Sequence, residues 1–357
     1  MPLRSLSAAD AAPLLLGPGA AFDTVIDVRS PAEFAEDHLP GAVNWPVLDD
    51  EQRRIVGTLY VQDSPLAARK VGAAMVGRNI ADHLDRWMAD KPRDWQPLVY
   101  CWRGGKRSGS LALVLGQIGF RVHTVEGGYK AFRGAVLAAL PALAQRLQYR
   151  VVCGPTGSGK TRLLQALASQ GAQVLDLEAL ASHRSSVLGM VPGQRQPSQK
   201  RFETLIWQAL RHFDPGRPVY VESESKKVGN LAVPDALMAA MRASPCLDLQ
   251  LGHDHRVALL LEDYAHFVND QDLFCGRLDA LTELRGKATV EAWKQKVRAG
   301  DTETVVRELL TLHYDPGYAQ SMRRNFQQFG AARPVAARHH AMDAMTELAQ
   351  QILKDAP

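Results

Sequence analysis

Short apolar runs that end on a polar or charged position, each followed by an amphipathic stretch, recur along most of the chain. Thr24-Val-Ile-Asp27-Val-Arg29, Pro97-Leu-Val-Tyr-Cys101, Tyr149-Arg-Val-Val-Cys153, Gln173-Val-Leu-Asp176-Leu-Glu178 and Arg217-Pro-Val-Tyr-Val-Glu222-Ser-Glu224-Ser225 read as strands. Ser30-Pro-Ala-Glu33-Phe34 opens a helix, the charge-mixed stretch from Ser64 to Asp90 reads as helical, and Ser110 to Ile118 continues the pattern. Ala135 to Gln145 is predicted as a helix broken at Pro141. From His255 onward the pattern is helical, clearest at Val305, Val306, Leu309, Leu310 and Leu312, with His313-Tyr-Asp-Pro-Gly-Tyr318 as an interrupting loop that is either site-like or a capping turn. Strands alternating with helices predict an α/β protein built on parallel sheets. The expected division is residues 1–140, a parallel-sheet domain, 141–250, a second α/β domain, and 251–357, a mainly helical region.

Composition narrows the class. With 357 residues, 46% hydrophobic and 22% charged, the chain has ample core and is not a disordered protein. The apolar patch Leu14-Leu-Leu16 is interrupted by Asp10, Pro13, Gly17 and Pro18, so it reads as a short helix capped near Ser7 rather than a signal peptide. No stretch reaches the roughly 18 apolar residues of a membrane span. The four cysteines, Cys101, Cys153, Cys246 and Cys275, lack paired spacing, which argues against a disulfide framework or zinc cluster and predicts a reducing, cytoplasmic setting. The net charge of +4 permits a nucleic-acid partner without requiring one.

Two stretches carry chemistry. The first, Cys153-Gly154-Pro-Thr156-Gly157-Ser158-Gly159-Lys160-Thr161, fits G-x-x-x-x-G-K-[ST] at every fixed position, after a strand and before a helix. Glycines at 154, 157 and 159 let successive N–H groups turn inward around a phosphate, and the helix adds its positive end. Lys160 would reach the outer phosphate, and the Thr161 hydroxyl stands where a magnesium ion is normally held. A nucleotide is the default ligand, but any diphosphate satisfies the same geometry. Asp176, Glu222 and Glu224 at strand ends are candidates for holding magnesium or positioning a substrate, with solvated surface carboxylates as the alternative.

The second stretch is Cys101-Trp-Arg103-Gly104-Gly105-Lys106-Arg107-Ser108, a cysteine at a strand end, a loop with three cations and two glycines, then a helix N-terminus. Each of these lowers a thiol pKa or binds an anion, so Cys101 is the candidate nucleophile, whereas Cys153, Cys246 and Cys275 lack such a setting. Basic positions elsewhere, at His183, Arg184, Arg195, Lys200, Arg201, Arg323 and Arg324, are candidate contacts to a nucleic-acid backbone or solvated faces. The segment carrying Arg195, Lys200 and Arg201 reads as a polar surface loop.

Asp27-Val-Arg29 with Glu33-Phe34, His38-Leu-Pro-Gly41-Ala-Val-Asn44-Trp-Pro46, the Cys101 loop and Glu126-Gly-Gly128 resemble the rhodanese family of sulfur-transfer domains over nearly all of residues 20–135. The resemblance implies a small parallel sheet flanked by helices, with the cysteine loop at the strand ends. One departure is that Arg107 lies six positions after Cys101, the C-x5-R length of cysteine phosphatases. The larger loop suits a tetrahedral oxyanion and suggests a phosphate-containing donor or a phosphate ester.

A rhodanese-like domain joined to a phosphate loop, together with Asp176-Leu-Glu178, Glu222-Ser-Glu224 and His313-Tyr-Asp-Pro316, resembles the bacterial tRNA 2-selenouridine synthase family across essentially the full length. That resemblance implies a transferase that replaces the sulfur of 2-thiouridine at the tRNA wobble position with selenium from selenophosphate, by way of an S-geranylated intermediate made from geranyl diphosphate. It implies that Cys101 either takes the selenium as a perselenide or only assists the displacement, that Arg103, Gly104, Gly105, Lys106 and Arg107 hold the phosphate portion, and that the phosphate loop holds geranyl diphosphate, with a nucleotide as the alternative occupant. The expected partners are tRNA carrying 2-thiouridine and an enzyme that produces selenophosphate. No tightly bound cofactor is expected, with magnesium as the candidate ion. The rival readings are a cysteine phosphatase or sulfurtransferase working through Cys101, and a nucleotide-driven kinase or ATPase working through the phosphate loop.

Overall fold

The computed structural model describes residues 4–8, 21–183, 195–265 and 270–355, which form two compact units. Leu14 to Leu16 and Arg184 lie outside the described residues. The first unit comprises residues 1–139 and 197–208, the second 140–196 and 209–357.

In the first unit, β1 (Arg4–Leu6), β2 (Thr24–Asp27), β3 (Ala42–Asn44), β4 (Pro97–Tyr100) and β5 (His123–Val125) form a parallel sheet in the order β1-β5-β4-β2-β3. All four residues of β4 are buried, as expected for the central strand of a parallel sheet. Ile26, Val28 and Val99 pack with Leu111 and Leu115 of the helix Lys106–Ile118 and with Trp45 and Trp95. Arg29, only 1% exposed, is paired with Asp27 at 2.6 Å and lies 4.0 Å from the Tyr129 ring centroid. This explains the Asp-Val-Arg run, because a buried guanidinium needs both a carboxylate and a surface to rest on.

The segment 197–208 also belongs to this unit, which corrects the expected surface loop. Residues from 199 onward are helical (Gln199–His212), with Phe202, Ile206 and Trp207 buried. Asp37 accepts hydrogen bonds from Tyr129 and Thr204, both at 2.8 Å, and Trp207 meets Phe132 edge to face at 5.5 Å.

The second unit holds β6 (Tyr149–Cys153), β7 (Gln173–Leu175), β8 (Val219–Glu222), a hairpin of β9 (Lys227–Val228) and β10 (Leu231–Ala232), then β11 (Cys246–Gln250) and β12 (Arg333–Ala336). Its parallel sheet runs β12-β11-β6-β8-β7 and places the phosphate-loop strand at the centre. Leu163, Leu164 and Leu167 of the helix Lys160–Ser169 and Met345, Leu348 and Ile352 of the helix Met342–Lys354 pack with Val152, Leu247 and Leu249. A separate helical cluster gathers Phe274, Leu278, Val290, Trp293, Val297, Val305 and Leu309.

Three local readings need correction. The β7 strand stops at Leu175, because Asp176 leaves the strand to cap the helix Leu177–Ala181, its carboxylate accepting the Ala179 N–H at 2.8 Å. The helix Gly128–Gln145 runs through Pro141 without a break. The predicted loop at His313–Tyr318 is helical: a π-type turn, Leu309–Tyr314, leads straight into the helix Asp315–Asn325. Pro316 falls in the first turn of that helix, directly after the π-type turn.

Candidate functional site

Each unit builds one anion-directed loop at the carboxyl end of a central strand. In the first unit Cys101 follows β4, and Gly105 stands at the N-terminus of the helix Lys106–Ile118. The Cys101 sulfur accepts the Gly105 N–H and the Ser108 hydroxyl, both at 3.3 Å. Its thiol lies below the ordinary cysteine value. Burial pushes the pKa up, and the hydrogen bonds from Ser108, Gly105 and Arg103 outweigh it. Cys153 is shifted upward, through its contact with Cys246 and then burial.

Glu126-Gly-Gly128 is the back support of this loop. Tyr129 N–H donates to the Cys101 carbonyl at 2.8 Å and Lys130 N–H to that of Trp102 at 2.9 Å. Gly128 has φ +57°, and a Cβ there would stand 2.3 Å from the Cys101 carbonyl oxygen, so only glycine fits. Arg103 and Lys106 are exposed at the loop rim with Gly104 and Gly105. Arg107 is paired with Glu33 at 2.6 Å, the same Glu33 that accepts the Ser30 N–H at 3.1 Å at the start of the helix Pro31–Glu36.

In the second unit Gly157 and Gly159 take φ +75° and +88°, and the helix Lys160–Ser169 begins directly after them. Lys160 Nζ donates to the Gly154 carbonyl at 2.8 Å across the loop. Ser158 is buried beneath it. Arg256 braces the outside: its Nε and Nη2 donate to the Thr156 carbonyl at 3.0 and 2.7 Å, and Nη1 and Nη2 reach Asp315 at 3.0 and 2.7 Å.

The loop opens on a cavity of about 410 Å³. Its lining includes Lys160, Glu178, Glu222 and Glu224 together with the apolar and aromatic Leu259, Leu260, Tyr264, Tyr318, Met322 and Phe326. Oxygens of Glu178, Glu222 and Glu224 lie within 4.8 Å of one another, and the Thr161 hydroxyl is 3.4 Å from Glu178. Burial holds the Glu222 carboxyl well above the usual range, and the charges of Glu178 and Glu224 raise it further.

The structure thus gathers the phosphate-loop residues with Glu222 and Glu224, whereas Asp176 is engaged as a helix cap. Sequence reasoning missed Glu178, Arg242, which also lines the cavity, Arg256 and most of the apolar wall. The site-like segment His313–Tyr318 does supply Asp315 to the Arg256 brace and Tyr318 to the cavity. Glu178 had a readable signal too, since an aspartate capping a helix leaves the residue two positions later in its first turn. Among the basic candidates, Lys200 pairs with Glu36 at 2.7 Å and Arg201 donates to the His38 carbonyl at 3.2 Å. Arg195, Arg323 and Arg324 are exposed, and His183 is half-buried after the helix Leu177–Ala181.

Residues 147–280 match the family described as tRNA 2-selenouridine synthase AAA domain, and residues 9–135 match the rhodanese-like domain. A tRNA 2-selenouridine synthase of Marinobacter nauticus is 32% identical over 82% of this chain and 87% of its own length. The chain belongs to the tRNA 2-selenouridine synthase family. The enzyme of that name from Cupriavidus necator is 35% identical over 83% of this chain and 87% of its own length. That from Nitrosomonas europaea is 38% identical over 67% of this chain and 63% of its own length. The family's two parts correspond to the two loops: the rhodanese-like match contains Cys101, and the second match contains the phosphate loop and all three cavity glutamates.

Proposed function

We propose that this chain is an enzyme that converts 2-thiouridine at the tRNA wobble position to 2-selenouridine in two steps, geranylation of the sulfur and then exchange of the geranylated sulfur for selenium. The observation that carries the first step is the cavity at the phosphate loop, whose lining combines Lys160 and the loop glycines with apolar and aromatic side chains beside the three glutamates. That combination suits a diphosphate attached to a hydrocarbon chain. The thiocarbonyl sulfur attacks C1 of geranyl diphosphate, the C–O bond breaks, diphosphate leaves with the electron pair, and the base loses its N3 proton. Lys160 and the inward N–H groups stabilise the leaving charge.

Alkylation turns a poor leaving group into one that departs from C2 as geranylthiolate when selenium adds. Cys101 acts in this second step, in a loop whose hydrogen bonds favour the thiolate. The selenium of selenophosphate attacks C2, geranylthiolate leaves with the C–S electron pair, and water then cleaves the selenium–phosphorus bond to release phosphate; Arg103 and Lys106 at the rim and Arg107, released from Glu33, are the cations for the phosphate portion. Contacts to tRNA are assigned to the exposed Arg195, Arg323 and Arg324 together with His183.

The test is mass analysis of nucleosides from thiolated tRNA incubated with protein, geranyl diphosphate and selenophosphate. Cys101→Ala is expected to accumulate S-geranyl-2-thiouridine without 2-selenouridine, and Lys160→Ala to form little of either. Selenium incorporation by the Cys101 variant would remove that residue from the reaction. Unchanged tRNA with the wild-type protein would overturn the whole assignment.

A further inference from the structure

The lining of the phosphate-loop cavity carries a second polar group that the diphosphate leaves unused. Arg242 closes the helix Asp235–Arg242 and Asn325 closes the helix Asp315–Asn325, and both side chains line the cavity. The two helix ends are tied together, since the Gln327 N–H donates to the Arg242 carbonyl at 2.9 Å. The other cations of the lining are engaged: Lys160 with the Gly154 carbonyl at 2.8 Å, Arg162 with Glu262 at 3.0 Å and Asp263 at 2.9 Å, and Lys226 with Asp235 at 3.0 Å. Arg242 differs, because its Nε is buried and has no hydrogen-bond partner. A donor left bare inside a protein is costly unless a ligand brings the acceptor.

Asn325 is oriented to complement that donor. Its Nδ2 donates to the Ser321 carbonyl at 2.9 Å and to the Ser321 hydroxyl at 3.2 Å. A carbonyl can only accept, so this contact assigns which end of the amide is nitrogen and leaves Oδ1 as the acceptor. Met322 and Phe326, both buried, add apolar surface to the same lining, which suits a flat ring. A donor and an acceptor on joined helix ends match the hydrogen-bonding edge of uracil, where N3–H donates and O4 accepts. Cytosine presents the reverse, an accepting N3 and a donating amino group.

We propose that Arg242 and Asn325 read the Watson–Crick edge of the thiolated base, Arg242 donating to O4 and Asn325 Oδ1 accepting from N3–H, and so admit 2-thiouracil and reject 2-thiocytosine. The inference rests on the reading that the base sulfur is alkylated at this cavity. In 2-thiouracil the sulfur on C2 and the oxygen on C4 flank N3, so a pair that holds N3 and O4 also fixes the direction in which the sulfur points. With 2-thiocytosine the amino group would meet the guanidinium and N3 would meet the amide oxygen, donor against donor and acceptor against acceptor. A site whose polar groups are left unpaired by the wrong ligand discriminates far more sharply than one that relies on shape.

The test uses the full-length protein, excess geranyl diphosphate, and anticodon stem-loop RNAs carrying 2-thiouridine or 2-thiocytidine at the wobble position, with S-geranylation followed by mass analysis and read as kcat/KM. The wild type is expected to favour 2-thiouridine by about a hundredfold or more. Arg242→Met and Asn325→Ala should each lower kcat/KM for 2-thiouridine by about tenfold or more and leave that for 2-thiocytidine nearly unchanged, so the preference narrows. Affinity for geranyl diphosphate, measured by calorimetry, should stay within about twofold of wild type in both variants. Arg242→Lys, which keeps a donor, should recover part of the preference. Two separate positions keep the test open should one variant fail to fold. An equal loss on both RNAs is what a structural role or a backbone-phosphate contact would give, and it overturns the proposal. So does a matching loss of geranyl diphosphate affinity, or a wild type that treats the two RNAs alike. Each of these leaves the alkylation reading standing. No geranylation of the 2-thiouridine RNA by the wild type overturns both.

Discussion

Arg256 is the residue whose removal should most directly separate the shape of the phosphate loop from its chemistry. Its guanidinium, 6% exposed, makes two hydrogen bonds to the Thr156 carbonyl and two to Asp315, all between 2.7 and 3.0 Å. Arg256→Met keeps much of the side-chain volume and deletes all four. Removing one partner of a buried ion pair costs about 3–5 kcal/mol. Asp315 keeps about a third of its surface in water, at 33% exposure, so the expected loss is the smaller figure of about 2–3 kcal/mol. For a unit of 150–250 residues that corresponds to a fall in melting temperature of roughly 4–12 °C. A double-mutant cycle with Asp315→Asn should return a coupling of about 1.5–2 kcal/mol in urea unfolding. Affinity for geranyl diphosphate should fall roughly tenfold, since the Thr156 carbonyl is no longer held and the N–H groups lose their fixed aim. A coupling below about 0.5 kcal/mol with unchanged affinity would refute the view that the loop is braced from outside.

Two further outcomes concern the cysteine loop. Alkylation of Cys101 should accelerate with rising pH around a midpoint below the free-thiol value of about 8.5, because the thiolate forms as pH rises through the lowered pKa; Ser108→Ala, which deletes a 3.3 Å hydrogen bond to the sulfur, should move that midpoint upward, and an unmoved midpoint would remove Ser108 as a cause. Gly128→Ala should destabilise the first unit by about 1–3 kcal/mol, since it forces a side chain into φ +57° against the Cys101 carbonyl, and it should abolish the fast alkylation; a variant with wild-type melting and reactivity would show that the loop does not need this support.

Much of this site was legible in advance because its determinants are local. The phosphate loop needs glycines at fixed offsets and a lysine at the helix start, and the Cys101 loop needs a strand end followed by a helix, so order along the chain specifies both. What was not legible depends on residues far apart in sequence. Arg256 and Asp315 lie 59 positions apart, and no spacing rule connects them. The carboxylates presented the opposite problem. Asp176 looked like a ligand by composition, but a short helix beginning at Leu177 claimed it as a cap, and Glu178 on that helix joined Glu222 and Glu224 instead. The helical continuation at His313–Tyr318 was hidden because proline and glycine together signal a loop, and only tertiary contacts decide that they begin a helix.

The return of residues 197–208 to the first unit has a practical consequence for anyone dividing this protein. A fragment ending near residue 140 would contain the whole reactive cysteine loop yet lack the Thr204 hydroxyl that bonds Asp37, the Glu203 carboxylate that pairs with Arg133, and the Trp207 ring against Phe132. Such a fragment would expose an aromatic patch and an under-satisfied buried acid, and would tend to aggregate for reasons unrelated to Cys101. Joining the Gln199–His212 segment back through a short linker is the more sensible way to study the thiol in isolation.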